Sequence, residues 1–156
     1  MALSRHPLTP AAKALGNIPL DRATVTLLAG SFRVVEAHGK EFADRFYNRL
    51  FTAHPAVRPL FPSDMTAQKA KLLDTLAAVV VHLADPQTNL QRLQELGRRH
   101  KGYGAKPEHF PLVIDAMIGG MKDVAGSDWN KAVEQEWRRA LGLVAEVMIK
   151  AADTKG

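Results

Sequence analysis

The chain has 156 residues, enough for one domain with a sizeable core and little more. Hydrophobic residues make up 46% and charged residues 24%, the balance of a soluble globular protein and not of a disordered one. The formal charge is +5 and cysteine is absent, which excludes a disulfide framework, a cysteine-ligated zinc or iron–sulfur centre and a thiol nucleophile.

Residues 1–20 are rich in alanine and apolar side chains, but Pro7, Pro10, Lys13, Gly16 and Pro19 interrupt every candidate run. A secretory signal needs an unbroken apolar core of about 7–15 residues. The segment therefore reads as an extended or loosely ordered arm ahead of a domain over 21–152, with 153–156 as a tail. The longest stretches without charge, 23–32 and 75–84, fall far short of the roughly 20 residues that cross a bilayer. A cytoplasmic protein with no membrane partner is the expectation. Lys and Arg are scattered along the chain, and the densest cluster, Arg98-Arg99-His100-Lys101, is short. With no nucleic-acid-binding motif beside it, the basic balance reads as a solvated surface, and no nucleic-acid partner is expected.

Taken in order, the apolar spacing is helical almost throughout. Val25, Leu28, Phe32 and Val35 recur at steps of three and four, on one face of a helix over about 21–37. Gly39 interrupts the pattern, and Phe42, Phe46 and Leu50 resume it. Leu72, Leu73, Leu76, Val79, Val80 and Leu83 keep helical spacing. Their β-branched members would suit a strand, but a run of about 20 residues decides for a helix. Asp85-Pro86 stops it.

A shorter helix carries Leu90, Leu93, Leu96 and His100 on one side and ends at Gly102 and Gly104. Pro107 suits the first turn of the next helix, which runs through Phe110, Val113, Ile114, Met117, Ile118, Met121 and Val124. Gly119 and Gly120 inside it cost about 1 kcal/mol each relative to Ala, which predicts another helix crossing there at close range. Ser127 and Asp128 are N-cap candidates for the last helix, whose inner face is Val133, Trp137, Ala140, Leu141, Val144 and Met148. The sum is six or seven helices, two long ones at the C-terminal end, with no strand and no internal repeat. A helix bundle and a globin-like sandwich are the choices.

Six histidines are present: His6, His38, His54, His82, His100 and His109. No two stand at the i, i+4 spacing of a helical zinc site, and H-E-x-x-H is absent, so a zinc hydrolase is not expected. Most of them read as structural: His6 in the arm, His38 at a helix end, His54 in a turn before Pro55, His82 near a helix end, His109 in a first helical turn. His100 differs, because it continues the apolar face of Leu93 and Leu96 and precedes a Gly-Tyr-Gly corner. It can point its ring into a cavity between its own helix and the preceding one.

Residues 42–61, FADRFYNRLFTAHPAVRPLF, supply the context. The pattern F-Y-x-R-L-F-x-x-H-P-x-x-x-x-x-F is matched by Phe46, Tyr47, Arg49, Leu50, Phe51, His54, Pro55 and Phe61. Gln68 and Leu72 follow, then L-G-R-R-H-K-x-Y-G from Leu96 to Gly104, and Trp137 in the last helix. In this order and spacing the chain resembles a single-domain bacterial globin, similar to the haem domain of flavohaemoglobins, over about residues 21 to 150. Taken singly, Tyr47 reads as a core tyrosine, Gln68 as a solvated helix residue, and Phe61 and Leu72 as core of any all-helical protein.

The resemblance implies an all-α globin fold of six to eight helices around a haem pocket, with haem b (iron protoporphyrin IX) as cofactor. His100 is implied as the proximal ligand to iron, a role that neutral imidazole suits. Phe61 is implied to pack flat on the porphyrin and Leu72 to close the distal pocket. Leu96, Tyr103 and Phe110 are implied as further haem contacts, and Lys71 and Arg99 as candidates for the propionates. Tyr47 and Gln68 are implied as the polar pair facing the sixth position. A phenol O–H and an amide N–H aimed at bound oxygen stabilise its partial negative charge. At about 1–2 kcal/mol each, two donors slow oxygen release by roughly ten- to a thousandfold.

Two functions follow from the resemblance. One is tight binding of O2, and of NO and CO, with NO dioxygenation to nitrate; the other is reversible oxygen storage or transport, or gas or redox sensing. The Tyr47/Gln68 pair favours the first, because strong retention suits chemistry on oxygen better than release. No G-x-G-x-x-G fingerprint is present, so electrons are expected from a separate reductase, for which the basic run at 98–101 is a candidate docking point. With no transmitter domain, sensing has the least support. Flavohaemoglobins place a tyrosine and a glutamate behind the proximal histidine, where this chain has Phe110 and Ala152. Neither accepts a hydrogen bond from imidazole, which leaves a backbone carbonyl of the proximal helix as acceptor. That implies less electron push and weaker peroxidase-like character than in flavohaemoglobins.

Overall fold

A computed structural model describes residues 22–84 and 86–153, with the side chains of 81, 82, 84 and 86–89 left aside. The expected N-terminal arm, the residues after Asp153 and the side chain of His82 lie outside the described residues. Six α-helices are described: α1 (Arg22–Ala37), α2 (Gly39–Ala53), α3 (Thr66–Ala84), α4 (Pro86–Gly102), α5 (His109–Ala125) and α6 (Lys131–Asp153). Short 3-10 turns lie at Pro55–Leu60 and Gly126–Asp128, and no strand occurs among the described residues. None of the described helices is long and apolar enough to cross a membrane.

The helices turn their predicted stripes inward, with some members buried and others partly so. Leu28, Phe32 and Val35 of α1, Phe42, Phe46 and Leu50 of α2, Leu76, Val79 and Leu83 of α3, and Val133, Trp137, Leu141, Val144 and Met148 of α6 form one continuous core. Trp137 is completely buried at its centre, and its indole N–H donates to Ser31 Oγ at 2.8 Å. That bond supplies the partner a buried indole needs. The dominant packings are α4 on α6 and α2 on α5.

The expected close crossing at Gly119 and Gly120 is made by α2. A Cβ at Gly120 would stand 3.3 Å from the Phe42 ring, and one at Gly119 would stand 2.8–2.9 Å from the Arg49 guanidinium and Cδ. Arg49 lies across this glycine and forks onto Asp123, with hydrogen bonds of 2.8 and 2.9 Å. A tighter crossing, which the spacing does not signal, lies at Gly97. A Cβ there would overlap the Met148 carbonyl oxygen and stand 2.6 Å from its Cα, so α4 and α6 touch backbone to backbone.

Helix ends differ from the sequence reading in four places. Gly39 does not end a pattern but opens α2, with His38 alone between two helices, and a Cβ there would run into Leu73 of α3. The helix of His100 is not short: it reaches back to Pro86, which occupies the first helical position, where its missing N–H costs nothing. Pro107 does not lie in the first turn of α5. It sits in the preceding turn, where Phe110 N–H bonds its carbonyl, and the helix begins at His109. Ser127 and Asp128 do not cap α6, because they belong to the 3-10 turn. The cap is Asn130, whose Oδ1 accepts from the Val133 N–H at 2.9 Å. Of the two long helices expected at the C-terminal end, α6 is the longest at 23 residues, while α5 at 17 is shorter than α3 at 19.

The glycines provide a paired test. Gly97→Ala forces backbone against backbone and is expected to destabilise the fold by about 1–3 kcal/mol. Gly30→Ala, in mid-helix with nothing within 4 Å of the new methyl, is expected to stabilise it by about 0.5–1 kcal/mol. Urea unfolding followed by circular dichroism reads both. Equal stabilities for the two variants would contradict the α4–α6 contact.

Candidate functional site

The last turns of α4 carry His100, half-buried on the face that also bears Leu93 and Leu96. Its Nδ1 donates to the Leu96 carbonyl at 2.8 Å. A carbonyl can only accept, so Nδ1 carries a proton, and in the neutral tautomer with this bond the lone pair lies on Nε2. The acceptor is the backbone carbonyl anticipated from the sequence. Phe110, 6.3 Å between ring centres and tilted by 39°, lies beside the imidazole and offers it no polar atom. Tyr103 stands edge-on at the same distance and is 64% exposed, at the surface and not in the core. Just past it, Gly104 takes a left-handed conformation with φ of 94°, which lets the chain reverse into α5.

A second cluster grows from α2. Tyr47 is buried, and its ring packs on Phe46, Phe51 and Phe61 with centres 4.6, 5.8 and 5.7 Å away. Gln68 of α3 hydrogen-bonds to the phenol, so the sequence-predicted pair is brought together. Burial pushes the Tyr47 hydroxyl above its ordinary pKa, and the Gln68 bond pulls it partway back.

Phe61 is held by a residue that the sequence reading passed over. Arg58 donates to the carbonyls of Phe61, Pro62 and Ser63 at 3.3, 2.9 and 3.2 Å, and its guanidinium lies 4.9 Å from the centre of the Phe51 ring. It ties down the corner between the 3-10 turn and α3. The only sequence signal is an arginine beside proline in an otherwise apolar turn.

The two clusters meet at one edge, where Leu60 reaches to within 3.1 Å of a Cβ built on Gly104. Leu72, Leu96, Phe61 and Phe110 are partly buried against the core. Lys71 and Arg99 are exposed, and Arg99 pairs with Glu95 at 3.5 Å. Among the described residues, no group of three or more His, Cys, Asp or Glu side chains gathers to hold a metal. One imidazole is enough to hold an iron porphyrin, which brings its own ring nitrogens, and Nε2 of His100 with the apolar side chains of Phe61, Leu72, Leu96 and Phe110 has the chemistry that such a group needs.

The phenol gives a pH signature. Its folded pKa lies above the unfolded value of about 10, so the fold favours the neutral form. This contribution to stability is fully present below the unfolded value and is lost as pH rises through the folded one. Alkaline titration of phenolate absorbance is expected to show a late step that Tyr47→Phe removes. Ionisation of Tyr47 at its unfolded-chain value would contradict its burial.

Comparison with known proteins agrees with this architecture. The globin family model matches residues 44–148. The flavohemoprotein of Bacillus subtilis (strain 168) is 31% identical over 137 residues, 83% of this chain and 33% of that protein. That of Rhizobium meliloti (strain 1021) is 24% identical over 132 residues, with the same two shares. The chain thus spans about one third of the length of the flavohemoproteins it matches. Among solved structures, a bacterial globin from Campylobacter jejuni superposes with a TM-score of 0.75 at 18% identity, covering 85% of this chain and 96% of that one. An engineered carbene transferase from Rhodothermus marinus, described as a candidate nitric oxide dioxygenase, gives 0.76 at 23% identity, covering 85% and 93%. With the family model matched across most of its length and its helices laid out as in bacterial globins, this chain belongs to the globin family.

Proposed function

We propose that the chain holds haem b through Nε2 of His100 and binds O2 tightly, and that it turns NO over to nitrate when a separate reductase supplies electrons. The observation that carries this reading is the Nδ1 bond to the Leu96 carbonyl, which turns Nε2 into the nitrogen left for a metal, in a globin fold. The relatives named flavohemoprotein and the neighbour described as a candidate nitric oxide dioxygenase support the class of reaction. When bound, haem supplies an iron site for a diatomic gas (O2, NO or CO) and a store for one electron.

The chain's own residues do the rest. Phe61, Leu72, Leu96 and Phe110 wall the group and exclude water, Tyr103 covers its edge, and Lys71 and Arg99 are the cations for its propionates. Tyr47 and Gln68 act on the gas. The phenol stays protonated because it is buried, so its O–H is available as a donor at every physiological pH. The balance for the reaction is one NO, one O2 and one electron to one nitrate ion, so a catalytic cycle needs the external donor.

A second reading, reversible oxygen binding without turnover, is favoured by the same proximal bond. A neutral carbonyl acceptor gives the imidazole less anionic character than a carboxylate gives. Storage, transport and sensing fall under this reading.

The purified protein is expected to show a haem spectrum that shifts under CO after reduction, and His100→Gly is expected to lose it. Tyr47→Phe is expected to speed O2 dissociation about tenfold, the loss of one hydrogen bond worth about 1–2 kcal/mol; an unchanged rate refutes the role of Tyr47. Mixing the oxygenated protein with NO, with and without a reductase, separates the two readings. Multiple nitrates per haem only with reductase identify the enzyme, and a single nitrate per haem in both cases identifies the carrier.

A further inference from the structure

Beside Phe110, the ends of α4 and α6 and the start of α5 line a half-open hollow of about 280 Å³. Its body is apolar: Phe110, Ile149, Ala152 and Pro107 face it. Charged side chains stand only at its rim, where Lys101 and Lys106 are opposed by a single carboxylate, Asp153. Lys101 Nζ donates to the Ala152 carbonyl at 3.1 Å, which draws its ammonium across the opening. Neither Lys106 nor Asp153 forms an ion pair among the described residues, so the rim keeps a net positive charge of one.

An apolar body with a few polar groups converging at one end is the form of a small-molecule site. The sign of the rim selects the head group and the lining selects the tail. We propose that this cavity binds short aliphatic carboxylates, with the tail against Phe110, Ile149 and Ala152 and the carboxylate between Lys101 and Lys106. A cationic amphiphile meets two ammonium groups. Phe110 belongs to both this cavity and the wall beside His100. The occupant therefore presses on a ring that touches the imidazole, and binding here is linked to whatever His100 holds.

The inference rests on the packing of α4, α5 and α6 and not on the haem reading. Amide chemical shifts of the purified full-length protein, reduced under CO where it carries haem, test it with hexanoate, hexanol and hexylammonium. Hexanoate is expected to shift Gly104, Ala105, Ile149 and Ala152 saturably, with hexylammonium doing nothing at these positions. Lys106→Gln, at a side chain that makes no bond among the described residues, is expected to weaken hexanoate at least threefold, and Asp153→Asn to tighten it. Ala152→Leu, which fills the cavity, is expected to abolish the shifts. Three results overturn the proposal: no saturable shift at these amides, equal binding of hexylammonium, or shifts centred on Tyr47 and Leu72 instead. A protein that takes up no haem yet shows the hexanoate shifts would sink the haem reading and leave this site standing.

Discussion

The hydrogen bond from His100 Nδ1 to the Leu96 carbonyl is the interaction on which the site depends. It does three things at once. It sets which nitrogen carries the proton, and it stops rotation of the ring about its own axis. It also gives the Leu96 carbonyl a second donor, beside the helical N–H four residues on. Because the acceptor is four residues back on the same helix, the imidazole inherits its orientation from α4 alone. What α4 does not set is where that helix stands, and this comes from its neighbours.

Those neighbours approach unusually near. Gly97 lets the backbone of α6 lie against α4 at Met148, and Gly119 and Gly120 let α2 lie against α5. The first contact positions the helix of His100, and the second positions the helix of Tyr47. Both clusters are thus fixed by missing side chains as much as by present ones. The Arg49 fork onto Asp123 decorates the α2–α5 crossing at a half-exposed position, where such a pair contributes about 0–1 kcal/mol. Packing holds the crossing, and the ion pair adds little.

Much of this was legible in the residues. The stripes of α1, α3 and α6 are long and regular, so the buried faces followed from period alone, and paired glycines in an apolar helix pointed to a crossing. The ends were less readable. Ser127, Asp128 and Asn130 are all competent caps, and which one is used depends on where the tertiary fold starts α6. Pro107 is compatible with a helix or with the turn before it. In the site, the carbonyl acceptor for His100 followed from the family resemblance, which set Phe110 and Ala152 where flavohaemoglobins have their polar partners. The meeting of Tyr47 with Gln68 was available only through family resemblance, since nothing local links α2 to α3. Arg58 was invisible for a different reason: its three acceptors become a cluster only after the corner has bent.

The contact between Gly97 and Met148 also has a meaning for biogenesis. The helix that presents the imidazole is synthesised well before the one that braces it, so a nascent chain exposing α4 has its ligand but not its anchor. On the proposed haem reading, firm capture is expected only once α6 has left the ribosome and docked. A chain that stalls or is clipped within α6 would keep His100 and still offer a loose grip.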